Sequence, residues 1–186
     1  MKTALLLIDI QNDYFSGGKM ELEGSMEAAR LASSILKEFR QRNAPVIHIQ
    51  HLSVRKGASF FIPETEGAGI YPLVEPLNGE PVIQKNYPNS FRKTKLYDHL
   101  KQNEINRLLI CGMMTHMCVD ATTRAAYDLE FECVVVKDAC ATRHLLFDGN
   151  TIPAKQVHES FLSALSSPYA KIISAEEAIR DIVQQL

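Results

Sequence analysis

Three side chains in this 186-residue sequence could do chemistry together: Asp9, Lys85 and Cys118. Each follows an apolar run. Ala4-Leu5-Leu6-Leu7-Ile8 precedes Asp9, Val82-Ile83-Gln84 precedes Lys85, and Leu108-Leu109-Ile110-Cys111-Gly112 leads into Cys118. An ionised Asp9 can take a thiol proton and pass it to a leaving group, while a Lys85 ammonium stabilises the thiolate and holds the carboxylate in place. No histidine is needed for that work. Taken singly, each residue also has a structural reading: Asp9 as a turn cap, Lys85 as a solvated loop residue, Cys118 as a small buried side chain.

The segment around Cys118 supports the chemical reading. Gly112 ends the apolar run, and Cys118, Thr122, Ala125, Ala126 and Leu129 then fall at helical spacing, a narrow face of mostly small side chains. This places Cys118 in the first turn of a helix that follows a strand. Free amides and the positive end of the helix dipole favour negative charge there, so the thiol pKa is expected to be pulled down. The same amides can receive the oxyanion of an attacked carbonyl. Cys111 and Cys133 sit in apolar strand-like runs and read as structural, and Cys140 falls in an expected loop. No zinc or C-x-x-C spacing is present, so the four cysteines are expected to be free thiols.

The elements that must position these groups alternate along the chain. Strand-like runs cover 4–10, 46–50, 82–84, 108–112, 131–137 and 171–174. Between them, 25–42 is amphipathic through Ala28, Leu31, Ala32, Ile35, Leu36 and Phe39, and 93–103 and 153–166 read as shorter helices. A last helix over 175–186 is amphipathic through Ala178, Ile179, Ile182 and Val183. Such alternation with near-continuous Val, Ile and Leu strands predicts an α/β fold in three layers, a parallel sheet covered on both faces by helices. Ligands bind beyond the carboxyl ends of such sheets, where Asp9, Lys85 and Cys118 would converge. The irregular stretch 53–80 is long enough to be functional, as a lid or a subunit contact.

Length and composition, with 46% hydrophobic and 23% charged residues, fit one domain over 1–186 with one sizeable core. A net charge of -2 without a long basic run argues against nucleic acid or an anionic membrane and for a small-molecule substrate. The opening apolar run is too short for a signal peptide, and nothing approaches a membrane span, so a cytoplasmic location is expected.

With these residues assembled, the chain resembles the isochorismatase-like family of cysteine hydrolases. Leu5 to Tyr14 resembles its opening motif, Gln84-Lys85 with Ser90-Phe91 its lysine segment, Gly112 to Asp128 its nucleophile segment, and Asp138 to Thr142 the loop after the next strand. The resemblance implies a six-stranded parallel sheet of Rossmann-like order and an Asp9-Lys85-Cys118 triad. It also implies a cis peptide between Met113 and Met114, with the amides of Met114 and Cys118 as the candidate oxyanion hole. Gln11, Tyr14, Tyr87 and Phe91 are candidate substrate contacts, the three rings as a wall around a flat or cyclic substrate. The implied reaction is hydrolysis of a small-molecule C–N bond (amide, lactam or N-carbamoyl) through a Cys118 thioester. No cofactor is implied, and a homo-oligomer, dimer or tetramer, is.

Three departures matter. Nicotinamidases of this family hold a metal with an Asp-x-His motif and further histidines, whereas this chain has His48-Ile49-Gln50-His51 and no further histidine until His99. No metal is therefore expected, and His48 and His51 read as satisfied polar side chains on opposite faces of a strand. The helix after the nucleophile usually closes on a glycine; here Glu130 stands at that point and is expected to adopt a left-handed conformation at a cost of roughly 1 kcal/mol. Isochorismatase itself cleaves a vinyl ether, and Cys118 favours the amidase branch over that chemistry. Two other readings stay open: a silent scaffold of the same fold, and a nucleotide-binding Rossmann domain. The acidic, glycine-free turn Asp9 to Tyr14 speaks against the second.

Overall fold

A computed structural model describes the backbone of residues 1–185 and side chains as far as Asp181. Its strands and helices are β1 (Thr3–Ile8), α1 (Ser25–Gln41), β2 (Val46–His51), β3 (Val82–Lys85), α2 (Leu96–Gln102), β4 (Arg107–Met113), α3 (Asp120–Asp128), β5 (Glu132–Ala141), β6 (Leu145–Phe147), β7 (Asn150–Ile152), α4 (Ala154–Leu165), β8 (Lys171–Ile173) and α5 (Ala175–Gln185). Six strands form one parallel sheet in the order β3-β2-β1-β4-β5-β8, and β6 and β7 make a separate antiparallel hairpin. The order reverses between β1 and β4, the crevice where parallel α/β sheets take ligands.

The apolar sequence of β1 follows from burial on both faces. Leu5 and Leu7 pack with Ala28, Ala32, Ile35 and Phe39 of α1 and with Ala178 of α5. Ala4, Leu6 and Ile8 point the other way, to Leu96 and Leu100 of α2, Ala126 of α3 and Leu162 and Leu165 of α4. Ile182 and Val183, expected on the apolar face of α5, lie outside the described side chains, and Leu186 outside the described residues.

Several boundaries depart from expectation. β1 stops at Ile8 because Asp9 turns the chain with φ 51, so Ile10 is outside the strand. β5 runs on to Ala141, with an irregularity in its pairing to β4 between Ile110 and Gly112, so Cys140 is a buried strand residue and not a loop residue. α2 begins at Leu96, after a left-handed Lys93. Pro153 precedes α4 as its N-cap, one residue ahead of the first helical position. The β6–β7 hairpin was not expected; it closes on Asp148-Gly149, both at positive φ.

Stretch 53–80 crosses the sheet's carboxyl edge and is stitched to the residues after β1. Gln11 Nε2 donates to the carbonyls of His51 (2.9 Å) and Ala68 (2.8 Å), and its Oε1 accepts from the His51 amide (2.7 Å). Asn12 Nδ2 donates to the Glu66 carbonyl at 2.7 Å. Asp13, buried, accepts from the amides of Lys19 (3.1 Å) and Phe61 (2.6 Å). Gly67 lies so close to the Asp13 carboxylate that a Cβ there would overlap it.

Candidate active site

β1 places the first group. At Ile8 it is in register with Gly112 of β4. Gly112 adopts φ 136, and a Cβ on it would collide with the Ile8 carbonyl oxygen, so glycine is required where the two central strands approach. Asp9 then turns inward and is fully buried. One carboxylate oxygen, Oδ2, accepts from Lys85 Nζ at 2.6 Å; the other, Oδ1, is buried and has no hydrogen-bond partner among the described residues.

Lys85, the last residue of β3, is equally buried. Burial opposes its charge, but the Asp9 carboxylate and the Cys118 sulfur outweigh it and hold the pKa above its ordinary value, so Lys85 is an ammonium ion.

After β4 the Met113–Met114 peptide is cis, as the resemblance implied. The chain then makes a single π turn, Thr115–Val119, before α3, so Cys118 lies in that turn and not in the first α-helical turn as expected. The Met114 carbonyl accepts from the amides of Met117 (3.0 Å) and Val119 (3.2 Å), which removes both as oxyanion donors. Thr115 Oγ1, hydrogen-bonded to the Ala141 carbonyl (3.2 Å) and paired with His158 Nδ1 of α4 (2.8 Å), anchors the turn to β5 and α4. The buried face of this segment is Cys118, Val119, Thr122, Thr123 and Ala126, somewhat rotated from the face expected.

Asp9, Lys85 and Cys118 are thereby brought together. The carboxylate of Asp9, the Cys118 thiol and the ring of His51 present atoms all within 4.8 Å of one another, around the Lys85 ammonium. The Cys118 pKa, however, is raised and not lowered as expected. Burial is the main cause, the Asp9 charge adds to it, and Lys85 only partly offsets them. The resting sulfur is a thiol. Cys111, Cys133 and Cys140 are also free and buried, with pKa values pushed up by burial, to about 12 for Cys133 and Cys140.

His51, expected to be only a satisfied polar side chain, joins this cluster. Its Nδ1 lies 3.0 Å from Lys85 Nζ and 3.9 Å from Cys118 Sγ. Burial and the Lys85 charge lower its pKa to about 4. His48 fits the expected reading only in part: on the other side of the strand its Nε2 meets Glu80 at 2.9 Å, but its buried Nδ1 has no hydrogen-bond partner among the described residues. Although Asp9, His51 and Cys118 are ligand types for a metal, the residues present do not fit one. Lys85 Nζ already occupies the space between them, at 2.6 Å from Asp9 and 3.0 Å from His51.

A cavity of about 540 Å³ opens beside this cluster, lined among others by His51, Arg55, Phe60, Tyr87, Pro88 and Met117. Of the expected substrate contacts only Tyr87 lines it, with Arg92 stacked on its ring at 3.9 Å. Gln11 is not available, because its amide is consumed by the backbone of His51 and Ala68. Tyr14 is buried against Phe61, ring centroids 4.6 Å apart, and burial above all, with the Asp9 charge nearby, raises its pKa well above the ordinary value. Phe91 faces away and stacks on Phe131 in the core under α2 and α3.

Comparison with known proteins agrees with this architecture. The isochorismatase domain family matches residues 3–177. An uncharacterised isochorismatase family protein of Bacillus subtilis, YddQ, is 46% identical over 97% of this chain and 100% of its own length. A streptothricin hydrolase of Streptomyces noursei is 34% identical over 75% of this chain and 49% of its own. The crystal structure of a putative isochorismatase hydrolase from Oleispira antarctica superposes with a TM-score of 0.92 at 50% identity, covering 96% of both chains. The chain belongs to the isochorismatase family of hydrolases.

Proposed function

We propose that the protein hydrolyses a C–N bond of a small molecule, an amide, lactam or N-carbamoyl group, with Cys118 as nucleophile, Asp9 as proton shuttle and Lys85 as electrostatic stabiliser. The observation that carries this reading is the buried Asp9 carboxylate, held by Lys85 on Oδ2, with a carboxylate oxygen within 4.8 Å of the protonated Cys118 thiol. The Asp9 carboxylate takes the thiol proton as the sulfur bonds to the carbonyl carbon. The carbonyl electrons move to oxygen, and the amides of Met114 and Cys118 receive that oxyanion. On collapse the C–N bond breaks, Asp9 gives its proton to the departing nitrogen, and a thioester remains. Asp9 then takes a proton from water, hydroxide displaces the sulfur, and the thiol is re-formed with that proton.

A raised thiol pKa suits this cycle. The thiolate arises only as Asp9 accepts its proton, so nucleophile and acid are generated in one step. Cleavage of a vinyl ether has no use for a thiol at this position, which places that reading second. The substrate is a small molecule able to enter the cavity beside Tyr87 and Met117. No helix among the described residues is long and apolar enough to cross a membrane. Self-association belongs to this reading too, supported by the outward Leu146 and Phe147 of the hairpin, 76% and 74% exposed; light scattering after gel filtration tests it. The test of the reaction is a panel of small amides, lactams and N-carbamoyl compounds assayed for ammonia or amine release. Turnover by the wild type and its loss in Cys118→Ala is expected; equal turnover by the variant removes Cys118 from the mechanism.

A further inference from the structure

We infer that His51 is a substrate-binding residue, held in the Nε2–H tautomer so that it donates a hydrogen bond to a second acceptor on the substrate, a few bonds from the carbon attacked by Cys118. This deepens the C–N hydrolase reading and rests on it. Lys85 fixes the tautomer of the His51 ring. An ammonium ion has donors only, and it lies 3.0 Å from His51 Nδ1, so Nδ1 must be the acceptor. A neutral imidazole that accepts at Nδ1 carries its proton on Nε2. The ring is kept neutral by burial and by the adjacent Lys85 charge.

The ring is also fixed in place. Both backbone groups of His51 are tied to the Gln11 side chain, and Phe61 packs beside the imidazole at 5.9 Å between centroids. Nε2 makes no hydrogen bond among the described residues, nor is it one of their buried unpaired atoms. Its outlet is the cavity that His51 lines. A pre-formed donor there, with Nδ1 3.9 Å from Cys118 Sγ, reads the part of the substrate next to the reacting carbon. It favours compounds that bear a second carbonyl or a ring nitrogen over those with an apolar group at that place.

The experiment uses matched pairs differing in that acceptor: succinimide with 2-pyrrolidinone, and nicotinamide with benzamide. In Cys118→Ala protein labelled with ¹⁵N-histidine, the His51 ring should show the Nε2–H tautomer at neutral pH. Its Nε2 signal should shift on adding succinimide or nicotinamide and not on adding their partners. An Nδ1–H tautomer, or no shift with any compound, overturns the proposal. In turnover, His51→Asn keeps an acceptor for Lys85 but loses the far donor, and His51→Gln keeps a donor near the Nε2 position. Asn should raise KM about tenfold for acceptor-bearing substrates alone, with kcat less affected, and Gln should recover part of it. A uniform loss of kcat across all compounds would make His51 a positioning residue for Lys85 and refute substrate contact. A panel without any turnover removes the hydrolase reading instead, while the ring signals still report on His51.

Discussion

Lys85 and His51 are register partners at the carboxyl ends of β3 and β2, and their side chains meet at 3.0 Å, with His51 Nδ1 3.9 Å from Cys118 Sγ. That pairing fixes where the ammonium points, toward Asp9 at 2.6 Å, with both side chains fully buried. Charges so buried are costly to separate.

The first prediction follows from this ion pair. Lys85→Met leaves the Asp9 carboxylate buried without its cation, and should cost about 3–5 kcal/mol of stability in urea unfolding. Asp9→Asn with Lys85→Met together should recover most of that loss, because neither charge is then stranded. Both proteins should be inactive, so stability and activity separate in the double variant. Additive losses would mean that the two groups are not coupled.

The second concerns the thiol. Asp9 raises the Cys118 pKa and Lys85 lowers it. Asp9→Asn should therefore shift the pH profile of Cys118 alkylation by iodoacetamide to lower pH, and Lys85→Met to higher pH. Mass spectrometry of the Cys118 peptide checks it. A profile that does not move in either variant would mean that burial alone sets the thiol.

Much of this site was legible from one rule, that groups just past parallel strands converge. It located Asp9, Lys85 and Cys118 because each is a chemically distinctive residue ending an apolar run. His51 ends β2 in the same way, but nothing in the run Val46 to His51 says that its ring turns to Lys85; only the register between β2 and β3 shows that. The roles of Gln11 and Asp13 were hidden for a related reason. Their partners are backbone groups of His51, Phe61 and Ala68, in a stretch without periodicity. The π turn was invisible because its signal is two backbone hydrogen bonds, from Val119 to Met114 and from Asp120 to Thr115, and not a side-chain pattern. The hairpin, by contrast, carried its signal in Asp148-Gly149 between Leu145-Leu146-Phe147 and Asn150-Thr151-Ile152.

A third prediction tests how the 53–80 stretch is held. Asp13→Ala removes the acceptor of the Phe61 and Lys19 amides. Leaving the buried Phe61 amide unpaired should cost about 1–3 kcal/mol. Limited proteolysis should then cut within 53–80 faster than in the wild type, at protease levels that leave the sheet intact. Unchanged cleavage would mean that Gln11 and Asn12 hold the segment unaided.

Acid should destabilise the protein in two stages. Burial, with the Lys85 charge, lowers the His51 pKa from 6.5 to about 4, so its contribution is present above pH 6.5 and is lost as pH falls toward 4. The Glu80 pKa is lowered from 4.5 to about 2: burial opposes ionisation, but Arg40, the Leu77 amide and His48 outweigh it. Its contribution is present above pH 4.5 and is lost as pH falls toward 2. Unfolding free energy measured against pH should show both slopes, and Glu80→Gln should flatten only the lower one.

The last prediction returns to Glu130, which the sequence placed where a glycine would be expected. It does adopt the left-handed conformation, at φ 67, with its amide on the Tyr127 carbonyl at 2.9 Å. The Phe131 amide meets the Ala126 carbonyl at 3.0 Å, so the end of α3 is properly closed and only the backbone of Glu130 is strained. Its side chain is exposed and makes no ion pair among the described residues. Glu130→Gly removes the steric clash of Cβ at positive φ and should stabilise by about 1 kcal/mol, a Tm rise of about 2–4 °C for a chain of this size. Part of the gain is offset by the greater freedom of glycine in the unfolded chain, so the sign of the change decides which effect is larger. A lower Tm by differential scanning calorimetry would show that the unfolded-state entropy wins at this position.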